Sequence, residues 1–255
     1  MNKTDIEYLD YTWSPIAMRC TPKSTGCLNC WHLKVVGRLM NNPTMPKRKR
    51  DAWAGGEYVL DSHEIMAPRK TRKPSVIGVQ FMGDLFHWSI KYSDFKQVMN
   101  IITLSKKHTF IMLTKRPNRM RSFIERYYSA RGWWGGALPN LWLGVSCSVQ
   151  KDADKYLPIL AKIPAAKRFV SFEPLLGGVA IPNRTDLDWV IAGCESGSKR
   201  RKSKIDWFQY MRDLCGFADI PFFLKQMEID EKIVSMPELD GKVWDQYPEQ
   251  TFPSF

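Results

Sequence analysis

The chain has 255 residues, 44% of them hydrophobic, with 38 basic residues against 26 acidic ones and a formal net charge of +12. That length suits one sizeable core, and no apolar run approaches the roughly 18–20 residues of a membrane span. The opening residues, MNKTDIEYLDYTW, lack the apolar core of a secretory signal, so a cytoplasmic protein without a membrane partner is the expectation.

In chain order, a first strand is expected around Thr12–Met18, directly before three clustered cysteines, Cys20, Cys27 and Cys30. A helix then begins near Leu33, followed by an irregular excursion over about 41–74 that carries Pro43, Pro46 and Gly55-Gly56. Further strands are expected at Ser75–Phe81, Thr109–Leu113, Leu141–Val145, Arg168–Phe172, Asp188–Ala192 and Pro221–Leu224. Between them lie stripes at i, i+3, i+4, i+7, the spacing of a buried helix face. One is Phe95, Val98, Met99 and Ile102 after Asp94. Another is Met120, Phe123, Ile124 and Tyr127. A third is Trp207, Tyr210, Met211 and Leu214 after Asp206, with Cys215 in the core. Arg131–Gly136 looks like a loop insertion whose paired tryptophans suit either packing or base stacking. The tail over about 228–255 is proline-punctuated and expected to wrap the surface.

Short apolar runs alternating with helical segments give an α/β fold with a parallel sheet and outer helices. The architecture expected is a partial (βα)6-type TIM barrel, one domain over 1–255. Sites on such folds lie at the carboxyl ends of the strands. Those ends carry the three cysteines, then Gly83-Asp84 and His87, Thr114-Lys115-Arg116, Ser146-Cys147, Glu173, Gly193-Cys194-Glu195-Ser196-Gly197 and Lys225-Gln226. They are polar, charged or sulfur-bearing, each after an apolar run.

Cys20-x6-Cys27-x2-Cys30 reads as a metal site, because thiolates two residues apart reach one centre from a tight turn and soft sulfur favours iron–sulfur or zinc. Three readings stand: a [4Fe–4S] cluster with one open iron, a Zn2+ site with His32 as fourth ligand, and a redox pair of Cys27 and Cys30. The charge is also uneven. Lys47–Arg50, the run Arg69, Lys70, Arg72 and Lys73, and the run Lys199, Arg200, Arg201, Lys202 and Lys204 hold no acidic residue. Without them the chain is nearly neutral, so a nucleic acid or nucleotide partner is expected. Topology puts the Lys199–Lys204 run on the rim of the site and the Arg69–Lys73 run at the opposite end.

The motifs IEY, TWSP and the cysteine loop, followed by MGDLFH, LTKRP, LWLGVS, SFEPLLG, GCESG and PFFLKQ, resemble a phage-borne family of uncharacterised proteins. That family is related to the radical S-adenosylmethionine (SAM) superfamily and is nearest the spore photoproduct lyases. The resemblance extends to about Gln226. It implies a [4Fe–4S] cluster on Cys20, Cys27 and Cys30 whose open iron takes SAM. It also implies an electron donor and a 5′-deoxyadenosyl radical that abstracts hydrogen from a nucleic acid or nucleotide, in the host cytoplasm if phage-encoded. Gly83-Asp84 falls where the superfamily meets the SAM amino group, and Ser146 where it meets ribose and carboxylate. Glu173 and Glu195 would bind ribose hydroxyls, pair with Lys115 or Arg116, or touch substrate. Cys147 and Cys194 are candidates for hydrogen donor, further metal ligand or tolerated substitution, and Lys115, Arg116, Lys199, Arg200, Arg201 and Lys202 for substrate binding. Two features depart from the superfamily pattern: the first gap is x6 rather than x3, and Asn29 replaces the aromatic before the third cysteine. Two other classes remain open, a zinc-stapled nucleic-acid-binding barrel and an acid–base enzyme using Glu173, Glu195 and Lys115.

Overall fold

The structure is a computed structural model that describes residues 1–133, 136–181 and 186–249. Its strands are β1 (Asn2–Lys3), β2 (Tyr11–Trp13), β3 (Ile16–Ala17), β4 (Val59–Leu60), β5 (Val76–Val79), β6 (Thr109–Thr114), β7 (Leu141–Ser146), β8 (Lys167–Phe172), β9 (Trp189–Gly193), β10 (Phe222–Ile229), β11 (Lys232–Ser235), β12 (Glu238–Leu239) and β13 (Lys242–Val243). Its α-helices are α1 (Trp31–Met40), α2 (Lys47–Ala54), α3 (Ala67–Lys70), α4 (Tyr92–Leu104), α5 (Pro117–Ser129), α6 (Gln150–Leu160) and α7 (Ile205–Phe217).

The main sheet has the order β1-β2-β5-β6-β7-β8-β9-β10-β11. From β2 through β10 every neighbouring pair is parallel, and β1 and β11 add antiparallel edges. Among the described residues no pairing joins the two edges, so the sheet is open and mostly parallel. Parallel strands buried on both faces read as continuous apolar runs; all six residues of β7, LWLGVS, are buried.

The two faces are filled differently. On one, α4 to α7 lay down Phe95, Val98, Met99, Met120, Phe123, Ile124, Leu157, Phe208 and Met211 against outward strand residues such as Met112, Leu143 and Val170. On the other, Ile111, Trp142, Phe169, Trp189, Ile191 and Phe223 pack on one another and on Tyr8 and Leu9, without a helix between them. Trp189 is the centre of this second core, with ring centroids 5.5–6.0 Å from Tyr8, Trp142, Phe169 and Phe223. Trp142 on β7 and Trp189 on β9 stand two strands apart yet touch, so this face is concave, as strong sheet coiling produces. Gly144 makes room there: a Cβ would lie 2.3 Å from the Phe169 ring.

Several expectations need correction. The chain leaves the sheet after Trp13, with Pro15 two residues on, and Ile16–Ala17 pair instead with β4. The excursion over 41–74 contains helix: the Lys47–Arg50 run opens α2, anchored by Ala52 and Trp53. The α7 stripe is Phe208, Met211 and Cys215, leaving Tyr210 45% exposed. The last parallel strand continues to Ile229 and turns back as β11. The tail does more than wrap the surface, because Tyr247 packs 5.3 Å from the Trp189 ring and the Gln246 carbonyl accepts from Trp189 Nε1 at 2.8 Å. Trp134 and residues 250–255 lie outside the described residues.

Candidate active site

The carboxyl ends of the strands surround one cleft enclosing about 230 Å³. It is lined by Cys20, Cys27, Cys30, Gly83, Asp84, Lys115, Arg116, Ser146, Glu173, Cys194 and Glu195, the residues that strand-end position singled out. Thr21, Lys23, Asn29, Trp31, Thr114 and Tyr8 join them.

The cysteine loop leaves β3, crosses the cleft mouth and enters α1. Its start is fixed where the Cys20 N–H donates to His32 Nε2 at 3.2 Å, and its end where Cys30 forms the N-cap position of α1. Between them Gly26 lies against the turn after β7, where a Cβ would come within 2.0 Å of Ser148 Oγ. The three thiols are half-buried and free, and the Lys23 N–H donates to Cys27 Sγ at 3.4 Å. Burial, with the Asp84 carboxylate nearby, pushes the Cys20 thiol up to about 12, against the pull of Arg116. Among the described residues no three His, Cys, Asp or Glu side chains close into metal-coordination geometry. As a donor set, however, the loop offers three soft thiols on one wall and leaves the rest of the cleft open, which fits a cluster needing one free position.

Asp84 is 7% exposed. It accepts from the Phe86 N–H at 2.9 Å and from Thr114 Oγ1 at 2.8 and 3.0 Å, and pairs with Arg116 Nε at 3.3 Å. Burial raises its pKa, and these partners offset only part of that rise. A turn rather than a helix follows it. Gly83 takes φ +114°, and a Cβ there would meet Met18 at 2.9 Å.

A second polar chain crosses the cleft floor. Lys115 donates to Ser146 Oγ, which donates to the Glu173 carbonyl at 3.4 Å. The Glu173 carboxylate accepts from Lys225 Nζ at 2.6 Å, Ser171 Oγ at 3.0 Å and Tyr8 OH at 3.5 Å. Burial alone would lower the Lys225 pKa, but the Glu173 carboxylate more than reverses it. On the far wall, Glu195 accepts from Arg201 through side chain and backbone and from Asn29 Nδ2 at 2.8 Å. Burial raises the Glu195 pKa, yet these donors outweigh it and hold the carboxyl down at about 2. Glu173 therefore pairs with Lys225 rather than with Lys115 or Arg116, and Glu195 with Arg201.

Cys194 lines the cleft, its thiol pushed up to about 11 by burial. Cys147 does not reach it. It is fully buried in the helix-side core, its pKa far above the ordinary range through burial. Strand alternation explains this, since Ser146 faces the cleft and its neighbour faces away. The Lys199–Lys204 run lies on the rim, where Asn29 Nδ2 donates to the Lys199 carbonyl at 2.9 Å. Arg200 and Arg201 are committed to Glu228 and Glu195; Lys199, Lys202 and Lys204 stay exposed. The Arg69–Lys73 run sits at the opposite end, where Arg69 donates to the Leu104 carbonyl ahead of β6. Trp133, a stacking candidate, packs on Tyr127 and Tyr128.

Sequence reading missed Tyr8, Thr21, Asn29 and Trp31. Asn29 and Trp31 flank Cys30 and could have been found from that adjacency; Tyr8 precedes the first parallel strand and carries no such signal. No helix among the described residues is long and apolar enough to cross a membrane. No curated protein and no solved structure matches the chain. A family model does, over residues 3–248. The chain belongs to the family described as "Protein of unknown function (DUF5131)".

Proposed function

We propose that this protein is a radical SAM-type iron–sulfur enzyme acting on a nucleic acid or nucleotide, on a partial (βα)6 barrel whose gap lies between the β1 and β11 edges. One observation carries the reading: three thiols on a single loop line the same cleft as acidic, basic and hydroxyl side chains from the strand ends. Cys20, Cys27 and Cys30 would hold the cluster, and an external electron donor would reduce it. With SAM bound, the cluster supplies a 5′-deoxyadenosyl radical.

The chain's own groups divide the remaining work. Asp84, held by Thr114 and Arg116, offers a fixed negative charge to an ammonium. Ser146, oriented by Lys115, offers a hydroxyl to a carboxylate or ribose. Glu173 and Glu195 keep Lys225 and Arg201 at the wall, so the cleft carries charge without an unpaired carboxylate. The zinc alternative has a weaker ligand set, because His32 Nε2 already accepts from the Cys20 N–H.

Anaerobic reconstitution with iron and sulfide tests the reading. A brown protein with close to four irons per chain and measurable SAM binding is expected. Stoichiometric zinc without labile sulfide would overturn it.

A further inference from the structure

Two exposed tryptophans each stand next to a buried histidine in the chain. Trp88 is 68% exposed and Trp31 is 42% exposed. Each follows or precedes a histidine that is 3% exposed and that grips the start of the cysteine loop. His32 accepts from the Cys20 N–H at 3.2 Å. His87 Nε2 is hydrogen-bonded to Thr21 Oγ1 at 2.9 Å, and its Nδ1 to Ser89 Oγ at 2.7 Å. The Trp88 ring leans on the His87 ring, centroids 5.2 Å apart at 39°, and the Trp31 ring meets His32 edge-on at 6.4 Å. Trp31 lines the cleft, Trp88 stands beside it through the contact of His87 with the cleft residue Thr21, and both indoles leave surface open to solvent.

A single exposed indole is ordinary on a protein surface; two packed on histidines that bond to the same loop present a pair of ring faces in one place. Their surroundings indicate the partner. Lys23 lines the cleft, Lys34 reaches Gly197 after β9 and Lys199 is joined to the cysteine loop through Asn29; all three are exposed, and none forms an ion pair among the described residues. Aromatic faces interleaved with uncommitted cations match the bases and phosphates of a single strand. A duplex hides its base faces and would use the lysines alone.

We propose that Trp88 and Trp31 form a base-stacking rim, and that the substrate is presented as an unpaired nucleotide of a single-stranded nucleic acid lying across the cleft mouth. This deepens the proposed function and rests on the cleft being the site of reaction. Binding itself needs neither cluster nor SAM.

The test is an anisotropy titration with a labelled single-stranded oligonucleotide, its duplex, and inorganic polyphosphate as a base-free polyanion. The single strand should bind about tenfold tighter than the duplex. Trp88→Ala should weaken single-strand binding about tenfold, the loss of one stacked base, while Trp88→Phe retains most of it and polyphosphate binding does not change. Lys34→Ala with Lys199→Ala should weaken both polyanions and flatten the salt dependence by about two phosphate contacts. Equal binding of single strand and duplex, or no effect of Trp88→Ala, would overturn the proposal. So would parallel loss of polyphosphate binding in Trp88→Ala, since a polyanion without bases has nothing to stack. A colourless protein that still prefers single strands would remove the cluster reading alone; a brown protein indifferent to oligonucleotides would remove this one alone.

Discussion

The two ends of the parallel sheet make an instructive pair. Both are basic. At the amino end, Arg69 lines a depression with Lys106 and Lys107, and Lys70, Arg72 and Lys73 follow it in the chain. At the carboxyl end, the Lys199–Lys204 run borders a cleft in which thiols, carboxylates and hydroxyls from several strands converge. Charge alone therefore does not mark the site. Buried polar groups occur at both ends, with Ser105, His108 and Asn140 at the amino end; what separates the ends is buried charge, since the carboxylates Asp84 and Glu195 are buried and engaged at the carboxyl end. Engaged buried charge costs desolvation, and the chain accepts that cost at one end only.

The largest expected effect breaks the comparison outright. Replacing Cys20, Cys27 and Cys30 together by Ala should abolish iron binding after reconstitution, whereas neutralising Arg69, Lys70, Arg72 and Lys73 should leave iron content unchanged. Iron and sulfide analysis reads both. Next, Lys225→Met strands the Glu173 carboxylate in the cleft wall, at a cost of about 3 kcal/mol in a denaturant titration. Third, Gly26→Ala forces a Cβ onto Ser148 Oγ. It should cost about 1–3 kcal/mol and lower iron content, with Ser148→Ala in the same chain recovering part of the loss.

A smaller effect depends on pH. The folded Glu195 pKa, about 2, lies below its ordinary value of 4.5. A depressed carboxyl contributes stability that is complete above the unfolded value and is lost as pH falls toward the folded one. The stability gap between wild type and Glu195→Gln should therefore be constant near neutrality and shrink between about pH 5 and pH 2. A gap that held steady through that window would mean that Arg201 does not set the carboxyl. Smallest of all, Arg72→Ala and Lys73→Ala at the amino end should shift stability by less than about 0.5 kcal/mol.

Much of the fold was legible because parallel strands buried on both faces leave unbroken apolar runs, as in Val76–Val79 and Trp189–Gly193. The site was legible for a related reason. A polar residue at the end of such a run must face the strand-end cleft or be paired, so Asp84, Ser146, Glu173 and Glu195 could be named together. What was hidden had physical causes. In α2, the run Lys47-Arg48-Lys49-Arg50 masks any apolar period and only Ala52 and Trp53 are buried, so a helix looked like a loop. Cys147 stayed among the candidates because adjacency was weighed over alternation. Tyr8 reaches the cleft from outside any βα unit, brought there by sheet curvature that a linear pattern does not encode.

The aromatic core around Trp189 has a further consequence. Tyr8, Trp142, Phe169, Phe223 and Tyr247 stopper the concave face beneath the cleft, so the cleft is a cul-de-sac. Nothing can be threaded through the molecule. Under the proposed function, a polymer would rest across the mouth and lower one unit in, and the product would back out the way it came, past the cysteine loop.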